Sequence, residues 1–138
     1  MKRRHDRAKA DKHRGFAAVE LATFLPLLTL LCFGISDYSN ALYDQIILNN
    51  CARNGALFAS NPSLAAGTPY TSTTVAALAN ASNLSPTPTV TTASGTDANG
   101  YKYVEVTVSY TFTTLINYPG LANTVPLSSK VRMMSSPL

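Results

Sequence analysis

The stretch that decides the architecture of this 138-residue chain runs from Gly15 to Ser36 and reads GFAAVELATFLPLLTLLCFGIS. From Phe16 to Ser36 there are 21 residues with a single charge, Glu20. As an α-helix at about 1.5 Å per residue, this run would be roughly 32 Å long, enough to cross the ~30 Å hydrocarbon core of a bilayer. The stretch therefore predicts a transmembrane helix over residues 16–36.

A basic tail precedes this apolar run. Residues 1–14 contain seven Lys or Arg and two Asp, whereas the rest of the chain contains four basic and five acidic residues. Basic residues beside a membrane helix stay on the cytoplasmic side, which predicts a cytoplasmic N-terminus and a C-terminal domain outside. Contact with membrane lipid head groups fits the same charge. Nucleic acid is an alternative partner for the tail, but the tail has no aromatic residue to stack on bases, so we expect none. The tail is expected to be unstructured by itself.

Residues 37–60 continue the helix with an amphipathic pattern. Apolar residues recur there at three- and four-residue spacings, and no strong helix breaker occurs before Asn61-Pro62. A helix from about Phe16 to Ser60 would be roughly 65 Å long. Pro26 lies inside it and removes one backbone hydrogen bond, so we expect a kink there.

Residues 61–138 are expected to form a small α+β domain outside the membrane. The clearest element is a strand over 101–115, in which Val104, Val106 and Val108 share one face and polar residues share the other. The amphipathic half of the long helix is the natural cover for that apolar face. The other expected elements are a linker at 61–70, a short helix within 72–83, at best a short edge strand around Val90, a hairpin turn at 97–100 and a final strand over about 127–133.

The sequence offers no constellation for enzymatic chemistry, a metal or a cofactor. Both histidines, His5 and His13, lie in the basic tail, and no Gly-rich phosphate loop occurs. Cys32 and Cys51 are 19 residues apart, roughly 28 Å along one helix, so they cannot form a disulfide with each other. A structural or assembly role is therefore favoured over catalysis.

Two other interpretations of the N-terminal segment stay open from the residues alone. Gly34 and Ser36 have the size and spacing for ordinary signal peptidase cleavage before Asp37, which would yield a secreted protein or adhesin. An uncleaved single-pass protein is the other alternative. The charge inside the run and the helical pattern that continues past Ser36 count against secretion.

Several segments together resemble the TadE/TadG-like family of pseudopilins. They are GFAAVELA at 15–22, LPLL at 25–28, GISDY at 34–38 and NCARNGA at 50–56. The resemblance implies a pilin-like fold and a minor pilin of the tight-adherence (Flp) pilus machinery in the bacterial inner membrane. It implies cleavage by a prepilin peptidase between Gly15 and Phe16, and other pilin and Tad assembly subunits as partners. Leu21, Cys51 and Asn54 depart from the family pattern and leave the subgroup open.

The residues around that junction have suitable chemistry. Gly15 has no side chain to obstruct a protease at the boundary between charged tail and apolar run. Cleavage would leave Glu20 one helical turn from the new amino terminus at Phe16, close enough for the two charges to attract within one chain or between subunits. A carboxylate in a membrane span is costly, which makes a functional role its default interpretation. We therefore expect Glu20 to align subunits during assembly.

Overall fold

The computed structural model describes the backbone of residues 2–118 and 120–135, and their side chains except those of residues 2–15, 62 and 64. Three helices precede three strands: α1 (Lys2–Ser60), α2 (Pro62–Ala66), α3 (Thr73–Leu78), β1 (Thr89–Thr96), β2 (Lys102–Thr113) and β3 (Thr124–Met134). The predicted α+β class, with a long N-terminal helix, a short helix and a small antiparallel sheet, is confirmed. The chain divides into two compact units, Met1–Tyr38 and Ser39–Leu138.

Helix α1 begins earlier than predicted. It starts at Lys2, so the basic tail is helical as a continuation of the apolar helix, and the expectation that the tail is unstructured by itself stays a prediction. The tail is rich in Ala, Lys and Arg, which are good helix formers. Because extending an existing helix avoids the cost of a new nucleus, the long apolar helix propagates back into the tail. The C-terminal end lies at Ser60, as predicted.

The core of the second unit lies between α1 and the sheet. The fully buried side chains on the helix include Leu48, Cys51 and Ala52, and on the sheet Val106 and Val108. Burying a Leu or Val side chain contributes about 1.5–3 kcal/mol to stability. The amphipathic half of α1 therefore covers the apolar face of β2, as the sequence predicted.

The sheet has the strand order β1-β2-β3 and is antiparallel throughout. Val106 lies opposite Thr92 on β1 and Val131 on β3, which places β2 at the centre. The turn predicted at 97–100 joins β1 to β2. The Asp97 Oδ1 accepts hydrogen bonds from the Asn99 and Tyr101 amides, and Gly100 takes a φ of 85°, as glycine does readily.

The smaller elements differ from the predictions in extent. The linker at 61–70 contains the short helix α2, and the predicted helix within 72–83 is only six residues long. The Ser72 hydroxyl caps α3 by accepting from the Val75 amide, which explains where that helix begins. The edge strand expected around Val90 is eight residues long, because all of it pairs with β2 and long-range pairing outweighs its weak local signal.

Gly55 marks the closest approach of α1 to the rest of the second unit. A methyl group built on its Cα would lie 3.0 Å from Ala77 Cβ on α3 and 3.1 Å from Val106 Cγ1 on β2. Those distances are shorter than ordinary van der Waals contact between carbons. The absence of a side chain at Gly55 therefore allows three elements to pack together.

Candidate functional site

The candidate site is the first part of the apolar segment of α1, where Gly15 and Phe16 are adjacent and Glu20 lies about one turn later. Gly15 is helical, the Phe16 side chain is 73 % exposed, and Glu20 is also exposed. Four residues separate Phe16 from Glu20, so the two are neighbours on one face of the helix. A new amino terminus at Phe16 would therefore have the carboxylate one turn away.

The apolar segment that carries this site is exposed on all sides. The helix over Phe16–Ser60 is long and apolar enough to cross a membrane, and its most apolar window has no buried residue. A helix that is apolar around its whole circumference requires lipid or other helices around it. This one long apolar N-terminal helix is compatible with a membrane anchor.

Polar groups inside the segment are hydrogen-bonded within the helix. The hydroxyls of Thr23, Thr29 and Ser36 donate to the carbonyls four residues earlier, over 2.8–3.0 Å. Such bonds remove the cost of exposing a hydroxyl to hydrocarbon. Helix α1 continues through Pro26, and the kink predicted there stays a prediction. Glu20 is thus the segment's only charged side chain, in surroundings that are otherwise apolar or internally satisfied.

A second charged feature lies on the outer face of the sheet. Glu105 on β2 accepts from Lys130 Nζ at 2.9 Å and from Arg132 Nη2 at 2.9 Å, both on β3. These hydrogen bonds hold the pKa of the Glu105 carboxyl below its ordinary value. The Arg132 guanidinium also lies 4.1 Å from the centre of the Tyr103 ring, a cation–π distance.

The remaining titratable groups form no catalytic arrangement in the part of the chain that the structure describes. No group of three His, Cys, Asp or Glu side chains among those residues could hold a metal ion. Cys32 and Cys51 are both free. Burial raises the pKa of Asp44, and burial together with the Asp44 charge raises the pKa of Tyr110, whose hydroxyl donates to the Ser85 carbonyl.

The N-terminal segment is the part of the chain that matches a known family. Residues 15–57 match the family described as TadE-like protein. The N-terminal segment is TadE-like. The match confirms the resemblance drawn from the sequence, and it begins at Gly15, includes Glu20 and the whole apolar run, and ends on the amphipathic half of α1. No curated protein and no solved structure matches the chain.

The TadE-like match gives a coarse functional context. The family indicates involvement in Tad pilus systems. TadE-like proteins are structural pilus components and are not a known enzyme family. It implies other pilus or Tad components as partners. The apolar segment is compatible with anchoring in a membrane.

Sequence reasoning missed two features of the second unit. The Glu105 cluster needs the β2–β3 register, in which Glu105 lies opposite Arg132, and alternation alone shows only that these residues point outward. Gly55 belongs to the TadE-like segment NCARNGA at 50–56, but the sequence alone does not show that close packing requires a glycine there. Its signal was a glycine in mid-helix, which is unfavourable unless packing requires it.

Proposed function

We propose that this chain is a minor pilin or pseudopilin that takes part in assembly of tight-adherence (Flp, type IV-like) pili, and so supports adhesion and biofilm formation. The observation that carries the proposal is a TadE-like match that starts at Gly15 and includes an exposed apolar segment, residues 16–36, with one carboxylate, Glu20. The chain is anchored in the bacterial inner membrane, with its N-terminus in the cytoplasm and residues 39–138 outside.

In this proposal a prepilin peptidase cuts between Gly15 and Phe16. The cut removes seven of the chain's eleven Lys and Arg residues and leaves the apolar segment attached to the outer domain. The exposure of Phe16 at the boundary supports access by a membrane protease. The product is a helix with a positive amino terminus and a carboxylate one turn later.

Glu20 then docks the processed subunit. A carboxylate near the membrane edge is costly when unpaired, and the amino terminus of a neighbouring subunit would neutralise it. Because Glu20 and the residues around it are exposed, a neighbouring helix can reach the carboxylate on its face of α1. The carboxylate thereby selects the axial position at which two such helices pack.

Secretion by ordinary signal peptidase is the alternative class. It would cut before Asp37, which is only 6 % exposed, whereas Phe16 is 73 % exposed. The TadE-like match also runs across that junction without a break. Both observations favour the Gly15–Phe16 junction over the one before Asp37.

The first test is the mass and N-terminal residue of the mature protein from isolated membranes. A start at Phe16 supports processing by prepilin peptidase, whereas a start at Asp37 supports secretion and an intact Met1 contradicts both. Gly15→Leu is expected to block the cut, because the new side chain occupies the space used for close backbone approach. Ala18→Leu, three residues beyond the junction, is the control and should still be cut.

The second test separates processing from assembly. Glu20→Val should be processed normally but fail to support pili, which electron microscopy of the cells would show. Thr23→Val is the matched control, because its hydroxyl is already bonded to the Val19 carbonyl and no neighbour needs it. Normal pili in the Glu20→Val strain would contradict the docking role.

A further inference from the structure

The loop between β2 and β3 covers residues 114–123 and reads TLINYPGLAN. Backbone hydrogen bonds define its shape. The Thr114 amide donates to the Asn123 carbonyl over 2.9 Å, and the Leu121 amide donates to the Tyr118 carbonyl over 3.1 Å. Gly120 takes a φ of 84°, which the tight turn requires. The described residues of the loop, 114–118 and 120–123, are therefore held in a turn by backbone hydrogen bonds.

The side chains that this loop presents are apolar. Leu115 is 68 % exposed and Leu121 is 69 % exposed, as much as Val19 (66 %) in the membrane segment. The loop lies within a run of 24 residues, 106–129, that contains no Asp, Glu, Lys, Arg or His. A single exposed leucine is ordinary, whereas two on one uncharged turn offer apolar surface that lipid can cover.

Two contacts within the second unit locate the loop along α1. The Gln45 Nε2 donates to the Ser128 carbonyl over 2.9 Å, and the Ser60 hydroxyl lies 3.9 Å from Met133 Sδ. Strand β3 therefore runs in the same direction as α1. From Ser128 back to Thr124, where β3 begins, is roughly 14 Å of strand, whereas Gln45 back to Ser39 is about 9 Å of helix. The loop thus lies at, or beyond, the end of the unit at which α1 enters it.

That end of the unit is the one nearest to the bilayer along the chain. Ser36 closes the predicted membrane segment, and Ser39 opens the second unit only three residues later, about 4.5 Å of helix. The opposite end of the sheet, with the turn at Tyr101, is roughly 34 Å away along β2. Under the proposed anchoring, the uncharged, leucine-bearing turn belongs to the end of the second unit that directly follows the bilayer along the chain.

We propose that residues 114–123 form a membrane-contact loop that inserts Leu115 and Leu121 into the lipid interface of the outer leaflet. This inference rests on the membrane anchoring contained in the proposed function. Lipid is the occupant that fits, because the turn offers apolar side chains without a charge to pair with a protein partner, at the level of the bilayer surface. The second unit then has two attachments to the membrane surface, the helix and the loop, which restrict how it rotates about α1.

The chain contains no tryptophan, so a single Trp reports on one position without background. Leu115→Trp and Leu121→Trp are two independent loop reporters in the full chain, reconstituted in phosphatidylcholine vesicles. Tyr101→Trp is the matched control in the turn at the opposite end of the sheet, and Phe24→Trp reports on the membrane segment. Quenching is measured with phosphatidylcholine brominated near the head group or deep in the acyl chain, and with aqueous iodide.

The proposal expects both loop reporters to have blue-shifted emission, to be quenched by the shallow bromines and to be protected from iodide, whereas the Tyr101 reporter is quenched by iodide alone. Loop reporters quenched by iodide as strongly as the Tyr101 reporter would overturn it. Protection from iodide that disappears when the protein is diluted with excess lipid would also overturn it, by assigning the loop to a second copy. If deep bromines fail to quench the Phe24 reporter, membrane anchoring itself fails; quenching there without quenching in the loop refutes the loop inference alone.

Discussion

Replacing Gly55 by alanine is expected to destabilise the outer unit, although alanine favours a helix. The new methyl group would lie 3.0 Å from Ala77 Cβ and 3.1 Å from Val106 Cγ1. Both neighbours are fully buried, and the Ala77 methyl is attached directly to the backbone of α3, so relief requires a shift of that helix. Overpacking of this kind costs about 1–3 kcal/mol, and two simultaneous contacts place it in the upper half of that range.

The gain in helix propensity from Gly to Ala, about 1 kcal/mol, offsets only part of this cost. The net loss is therefore about 1–2 kcal/mol. Urea unfolding of the full chain in detergent micelles, followed by tyrosine fluorescence, measures it. With a slope of about 2 kcal/mol per M, the midpoint should fall by roughly 0.5–1 M. Gly34→Ala, the same change at an exposed position of the same helix, should leave the midpoint unchanged or raise it.

A double-mutant cycle assigns the cause. Ala77→Gly removes the nearer contact, so Gly55→Ala should cost less in that background, by at least about 0.5 kcal/mol. An equal cost in both backgrounds, or an unchanged midpoint for Gly55→Ala alone, would refute the reasoning from close packing. Either result would mean that the packing around Gly55 relaxes enough to accept a methyl group.

Two further predictions concern the outer face of the sheet. Hydrogen bonds from Lys130 and Arg132 keep the pKa of Glu105 below its ordinary value, so this carboxylate adds stability above pH ~4.3 that is lost as pH falls through its lowered pKa. Melting temperatures measured from pH 7 downward should therefore fall more steeply for the parent than for Glu105→Gln, and parallel curves would contradict this. Gly95→Val should displace the Tyr103 ring, whose hydroxyl would lie 2.6 Å from the new Cβ, and lower stability by about 1 kcal/mol through the lost Arg132 contact. The same change should be nearly neutral in a Tyr103→Ala background.

The elements with strong local patterns were predictable from the sequence. The apolar run ending at Ser36, the alternation over Val104, Val106 and Val108, and the turn at 97–100 each give a strong local signal, and the structure confirms the helix, strand and turn. The full length of strand β1 was not predictable, because its local signal is weak and its extent depends on pairing with β2. The helical structure of the tail was not predictable either. The tail is helical because of the helix that follows it, a cause that its own polar composition conceals.

The proposed cleavage site and the buried core of the second unit lie in separate parts of the chain. The buried core cluster begins at Leu48, and its partly buried neighbours begin at Ile47, so every residue of that core follows the apolar segment. Phe16 and Glu20 are exposed and do not belong to that cluster. A cut after Gly15 therefore changes the charge and the amino terminus of the membrane segment while the core cluster stays intact. Under the proposed function, such a division would allow the subunit to fold before the cut that prepares Glu20 for docking.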